Sequence, residues 1–91
     1  MPEPLSLDPK LDLSAAPALH ATLLSRVNDD LVLDATRVTH MGALCTQILI
    51  AFARAVRDVG KQMSLINVND RVLGQLRAMG LTPERIAEGA P

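Results

Sequence analysis

Aromatic rings are almost missing from this chain: Phe52 stands alone, with no Trp and no Tyr. A core without them has to be built from Leu, Val, Ile, Ala and Met, and a surface without them offers no stacking platform for nucleobases. An excess of one charge is missing too. Nine Lys and Arg face ten Asp and Glu, a net charge of −1, so neither a basic field that gathers phosphate backbones nor a strongly acidic face is available. Nucleic acid is therefore not an expected partner. The single cysteine, Cys45, excludes an internal disulfide and any multi-cysteine metal centre, which makes the cytoplasm the expected compartment. Long apolar runs are absent as well. The most apolar stretch, 43–59, is broken by Thr46, Gln47, Arg54, Arg57 and Asp58, so no membrane insertion is expected, and Met1-Pro2-Glu3-Pro4 has neither the basic nor the apolar region of a secretion signal.

Signatures of catalysis are missing in the same way. There is no Gly-rich phosphate loop ending in Lys-Ser/Thr, no pair of carboxylates on one helix face, no Ser-His-Asp set in a supporting context, and no metal-ligand spacing. Asp29-Asp30 and Asp70 read as turn and cap residues. The expectation is a protein that is not an enzyme and takes no cofactor and no metal.

What is present is a well-patterned globular chain. With 91 residues there is room for one core only, and 48% hydrophobic against 21% charged residues is enough to form it. Leu5 to Leu11 alternates apolar and polar residues around Pro9, as in a short edge strand. Ser14 is a suitable N-cap for a helix over 15–27, with Pro17 in its first turn and Ala16, Leu19, Leu23 and Val27 inward. After a polar turn at Asn28-Asp29-Asp30, the run Leu31-Val32-Leu33 predicts a strand buried on both faces, closed by Asp34-Ala35-Thr36. A helix from about Ala43 carries Leu44, Ile48, Phe52, Ala55 and Val59 on one stripe and stops at Val59-Gly60. Met63 to Val68 predicts another strand. Asn69 or Asp70 then caps a helix with Val72, Leu73, Leu76 and Met79 inward, Gly80 taking the left-handed C′ position while Leu81 folds back on the last turn. Thr82-Pro83-Glu84 starts a last short helix through Ala87, and residues 1–4 and 88–91 are expected to be flexible ends.

Strands alternating with helices at this spacing predict a small, single-domain α/β sheet over residues 1–91 with helices packed on one face. The order, together with particular residues, resembles the STAS family, which includes anti-sigma factor antagonists and sulfate-transporter tails. Leu31-Val32-Leu33-Asp34-Ala35-Thr36 is similar to the family's central strand ending in Asp-x-Ser/Thr, and Val38-Thr39 precede its signature helix. Gly60 falls at the family's glycine before the next strand, Leu65-Ile66-Asn67 resembles that strand, and Leu76 to Leu81 matches its Leu-x-x-x-Gly-Leu ending. Members switched by phosphorylation carry an acceptor serine at the start of the signature helix. Here that helix opens on Gly42-Ala43-Leu44-Cys45, with no alcohol at the Ala43/Leu44 position, so no phosphorylation site carries over. The Gly-Ala-Leu-Cys-x-Gln form resembles STAS variants of bacterial chemotaxis kinase systems.

The resemblance implies a protein-interaction module in bacterial signalling, docking on a histidine kinase or an anti-sigma-type kinase through Thr39, His40, Met41, Gly42, Ala43, Leu44, Cys45 and Gln47. Leu44 is expected to be the apolar anchor, with Met41 and Gln47 beside it. Cys45 reads as packed under the loop rather than as a reactive thiol, and His40 as a loop residue rather than a phosphate acceptor. Thr36 and Thr39 are expected to bond the local backbone. Arg37, Arg54 and Arg57 are rim candidates. The alternatives are the accessory STAS subunit of an ATP-driven lipid transporter and an anti-sigma factor antagonist. The edge near Leu5–Leu7 leaves room for a homodimer.

Overall fold

Each strand of this protein is short and each pairs in parallel with a strand far away in sequence. In the computed structural model, which describes residues 3–89, β1 (Leu5–Ser6), β3 (Leu31–Asp34) and β5 (Met63–Ile66) form one sheet in the order β1-β3-β5. Leu5 lies opposite Leu33, and Leu33 opposite Leu65, so one row of leucines crosses the sheet. A second pair, β2 (Lys10–Leu11) with β4 (His40–Met41), stands apart from it. A 3-10 turn at Leu13–Ala15 leads into α1 (Ala16–Leu24); α2 (Ala43–Asp58), α3 (Asp70–Ala78) and α4 (Pro83–Ala87) follow.

The order β1-β3-β5 decides where the helices go. Parallel crossovers are right-handed, and here both step across the sheet in one direction, so their helices fall on the same face. Burial agrees: Leu31, Leu33 and Met63 are buried beneath the helices, whereas Ser6, Ser64 and Ile66 on the opposite face are exposed. The one-faced α/β arrangement is as expected, with one correction. The β3 strand is not buried on both faces, because Val32 and Asp34 are only half-covered.

Local chemistry places the helix ends. Asn69 caps α3 by accepting from the Val72 N–H at 3.0 Å, and Thr82 caps α4 by accepting from the Arg85 N–H at 3.2 Å. The α3 helix closes as expected: Gly80 has φ +73°, its N–H donates to Arg77 O at 2.9 Å, and the N–H of Leu81 donates to Leu76 O at 2.9 Å. Leu81 is buried on that last turn.

Three local expectations are corrected. The segment 5–11 is not one strand. It is broken at Leu7-Asp8-Pro9 into β1 and β2, which pair with different partners. The cap before α1 is Asp12 rather than Ser14, since its carboxylate accepts from the Ser14 and Ala15 N–H groups and thereby starts the 3-10 turn. The third is the buried face of α2, formed by Cys45, Leu49, Phe52, Ala53 and Val56 and rotated by roughly a quarter turn from the expected stripe. Leu44 and Val59 are consequently exposed and Ile48 and Ala55 half-covered.

The expected looseness of residues 1–2 and 90–91 lies outside the described residues, and Glu3 and Pro4 are exposed and in no element. Glu88 and Gly89, by contrast, are tied to α2: Arg57 donates to Glu88 O, and Arg54 Nε donates to Gly89 O at 2.5 Å. Both arginines thus tie residues 88–89 to α2.

Two glycines separate propensity from strain. A Cβ at Gly74, inside α3, or at Gly80, beyond its end, would meet nothing within 4 Å, yet only Gly80 has positive φ. Gly74→Ala is expected to raise stability by about 0.5–1 kcal/mol and Gly80→Ala to lower it by about 1–2 kcal/mol, both read from urea unfolding midpoints.

Candidate functional site

The segment between β3 and α2 is exposed at its tip and held by hydrogen bonds at its base. The N–H groups of Thr39 and His40 donate to Pro9 O at 2.7 and 3.2 Å, and that of Gly42 donates to Leu11 O at 2.9 Å. On the opposite side Met41 N–H donates to Gln75 Oε1 at 2.6 Å, and Asn69 Nδ2 donates to Val38 O at 2.7 Å. Gly42 admits no larger residue without movement, because a Cβ there would lie 3.0 Å from the Leu11 carbonyl oxygen. This close approach places β2 and the 3-10 turn alongside the start of α2.

Between those two elements runs an open groove lined by Leu11, Asp12, Leu13, Ser14, His40, Gly42, Ala43 and Leu44. Leu13 is 75% exposed on one wall and Leu44 45% exposed on the other. Two large apolar side chains therefore face solvent across a cleft at the start of α2, whose first turn has no side-chain cap. Singly exposed leucines are ordinary on a protein surface, but a pair flanking one groove is the kind of apolar patch that partner binding covers.

Thr39, His40, Ala43, Leu44 and Gln47 lie on this exposed tip, with Gly42 half-covered. Two expected contact residues do not. Met41 is 2% exposed and Cys45 1%, each pointing into the core, because Met41 takes the inward position of β4 and Cys45 lies on the buried face of α2 with Leu49, Phe52 and Val56. They are withdrawn from the contact surface. Cys45 is packed under the loop, its Sγ 3.4 Å from the Asp12 carbonyl, and burial together with the Asp12 charge pushes its thiol up from the ordinary value. That disfavours the reactive thiolate.

The hydroxyls near the tip are all engaged. Thr36 Oγ1 donates to the Asp34 carboxylate at 2.5 Å rather than to the backbone, as does the Thr36 N–H at 2.9 Å, with Asn67 Nδ2 adding a third donor at 3.1 Å. Led by the Thr36 hydroxyl, these donors hold the Asp34 carboxyl below its usual value. Thr39 Oγ1 donates at 3.1 Å to Pro9 O, a backbone group distant in sequence rather than one of its own loop, and the buried Thr46 donates to Gly42 O at 2.8 Å. Ser14 is a hydroxyl that sequence reasoning did not bring to the site. It is exposed on the groove wall and donates to Asp12 Oδ1 at 2.7 Å, which is the leading reason that the Asp12 carboxyl also lies low.

Leu13, Asp12 and Ser14 are the residues that a linear reading missed. Leu13 falls in register with Ala16 and Leu19 on a helical count, yet it stands exposed in the 3-10 turn while those two are buried in α1. Gln75 was missed as well, since nothing in a helical pattern distinguishes an amide aimed at a loop from one in water.

The geometry thus comprises an Asp-x-Thr turn at the end of a central strand, a hydrogen-bonded tip, and an amphipathic helix beginning at Gly42 without an alcohol in its first turn. The family model described as Mlab, STAS domain matches residues 2–86, nearly the whole chain. The chain belongs to the STAS domain family. No curated protein matches it. STAS domains act in general as protein-interaction modules. No helix among its described residues is long and apolar enough to cross a membrane.

The two neighbouring residues Met41 and Leu44 should separate fold from surface in this STAS domain. Met41→Ala is expected to cost about 2–5 kcal/mol of stability through the cavity it leaves, whereas Leu44→Arg should change it by no more than about 0.5 kcal/mol. Equilibrium denaturation of both variants checks this.

Proposed function

We propose that this STAS domain is a non-catalytic docking module of bacterial signalling, working in the cytoplasm, that binds a kinase of the histidine-kinase or anti-sigma ATPase type in a chemotaxis pathway. The observation that carries this reading is the pair of exposed leucines, Leu13 and Leu44, on either side of one groove. An apolar side chain of the partner seated between them loses water on both flanks, and His40, Ala43 and Gln47 supply the rim. Thr39 lies at its outer edge.

The absence of an acceptor hydroxyl on Gly42-Ala43-Leu44-Cys45 favours constitutive docking over covalent switching. Ser14, Thr36, Thr39 and Thr46 all spend their hydroxyl protons on internal acceptors. Incubation with the candidate kinase and ATP is expected to leave the intact mass unchanged. A stoichiometric single-phosphate adduct, on Ser14 or any of the threonines, overturns constitutive docking.

A second reading within the same family is the accessory subunit of an ATP-driven lipid transporter, for which the same tip would face the nucleotide-binding subunit. Fluorescence titration of the purified domain with the host's chemotaxis kinase, and separately with its transporter ATPase, distinguishes the two. Binding to the kinase that weakens at least about tenfold, or 1.4 kcal/mol, with Leu44→Arg is the expected result. The same behaviour with the transporter ATPase instead replaces the first reading by the second, and affinity unaffected by Leu44→Arg removes the docking surface.

A further inference from the structure

The β4 strand has a partner on one side only. Its Thr39, His40 and Gly42 N–H groups point towards β2, where Pro9 and Leu11 supply carbonyls. The Met41 N–H points the other way, and among the described residues no strand lies there. A buried N–H without an acceptor would be destabilising by roughly 1–3 kcal/mol. The acceptor is a side chain of α3. Gln75 Oε1 receives the Met41 N–H at 2.6 Å, while Gln75 Nε2 lies 3.5 Å from the Thr39 carbonyl oxygen.

One carboxamide thus presents to β4 the acceptor and the donor that a peptide group of a third strand would present. Asn69 Nδ2, bonded to Val38 O, extends the same row by one position. Helix α3 packs chiefly on β4, with Val72 and Leu76 buried, so the helix and the tip form one mechanical unit.

We propose that Gln75 is a positioning residue for the tip: its carboxamide substitutes for an absent third strand and holds residues 39–42 in the shape they present to solvent. Glutamine suits the place for a stated reason. Glutamate of the same length keeps the acceptor and loses the donor, asparagine is one methylene too short, and methionine fills the volume with neither. The consequence for partner binding rests on the docking reading above; the positioning itself does not.

Native-state amide exchange on the isolated, isotopically labelled protein tests it. In Gln75→Met the Met41 amide is expected to exchange at least about tenfold faster than in the parent protein, with chemical-shift changes confined to residues 38–42 and to the α3 turns around position 75, while Leu33 and Leu49 move only with global stability. In Gln75→Glu the Met41 amide should stay within about threefold of the parent. Unchanged Met41 exchange in Gln75→Met, or an acceleration shared equally by Leu33 and Leu49, overturns the proposal. If Gln75→Met does not fold, the comparison of Gln75→Asn with Gln75→Glu decides: faster Met41 exchange in the asparagine variant supports positioning, and equal exchange overturns it. Because no partner is present in this measurement, a Leu44→Arg variant that still binds would remove the docking reading and leave the exchange result standing.

Discussion

The exposed tip of this STAS domain depends on one requirement: every peptide group near its base must find a partner before the tip can be left in water. Residues 38–42 carry short pairing on one flank, to Pro9 and Leu11, and side-chain amides from α3 on the other. With those bonds in place the apolar side chains can be sorted cleanly, Met41 and Cys45 inward and Leu44 outward. Without them the segment would be a mobile loop, and a partner would have to meet the entropy of ordering it. A tip held in this way suits the proposed docking better than a flexible one of the same composition.

Electrostatics has a supporting part. The two carboxylates that lie low, Asp12 and Asp34, are both turn-formers held by neighbouring hydroxyl and amide donors, and both stand where a strand gives way to another element. Asp12 fixes the 3-10 turn on the groove wall, and Asp34 fixes the turn at Thr36. Cys45 sits close enough to Asp12 to feel the carboxylate charge, which together with burial keeps its sulfur a packing atom.

Much of this was legible in the linear chain, and the reasons differ by element. The third and fourth helices were readable because their ends are written in residues with one good use: Asn69 and Thr82 as caps, Gly80 as a left-handed stop. The fold class followed from alternation of strands and helices. The phase of α2 was not legible from its apolar residues, since Leu44, Ile48 and Val59 compete with Cys45, Leu49 and Val56 for the inner face. The polar stripe Gln47, Arg54 and Asp58, all exposed, marked the outer face and would have resolved it. Strands of two residues, such as β4, leave no periodicity to detect. The groove needed tertiary knowledge, because Leu13 and Leu44 are thirty-one positions apart and meet only through the pairing of β2 with β4.

That pairing pattern bears on how the molecule comes together. The chain contains no hairpin among its described residues: β1 waits for β3, β2 for β4, and β3 for β5, each across a helix. Loop closure therefore has to precede every ladder bond, and local helix formation is the step available earliest. The tip inherits this order. Its shape is assembled only after distant parts of the chain have met, so the surface proposed for docking becomes complete only when the whole molecule does.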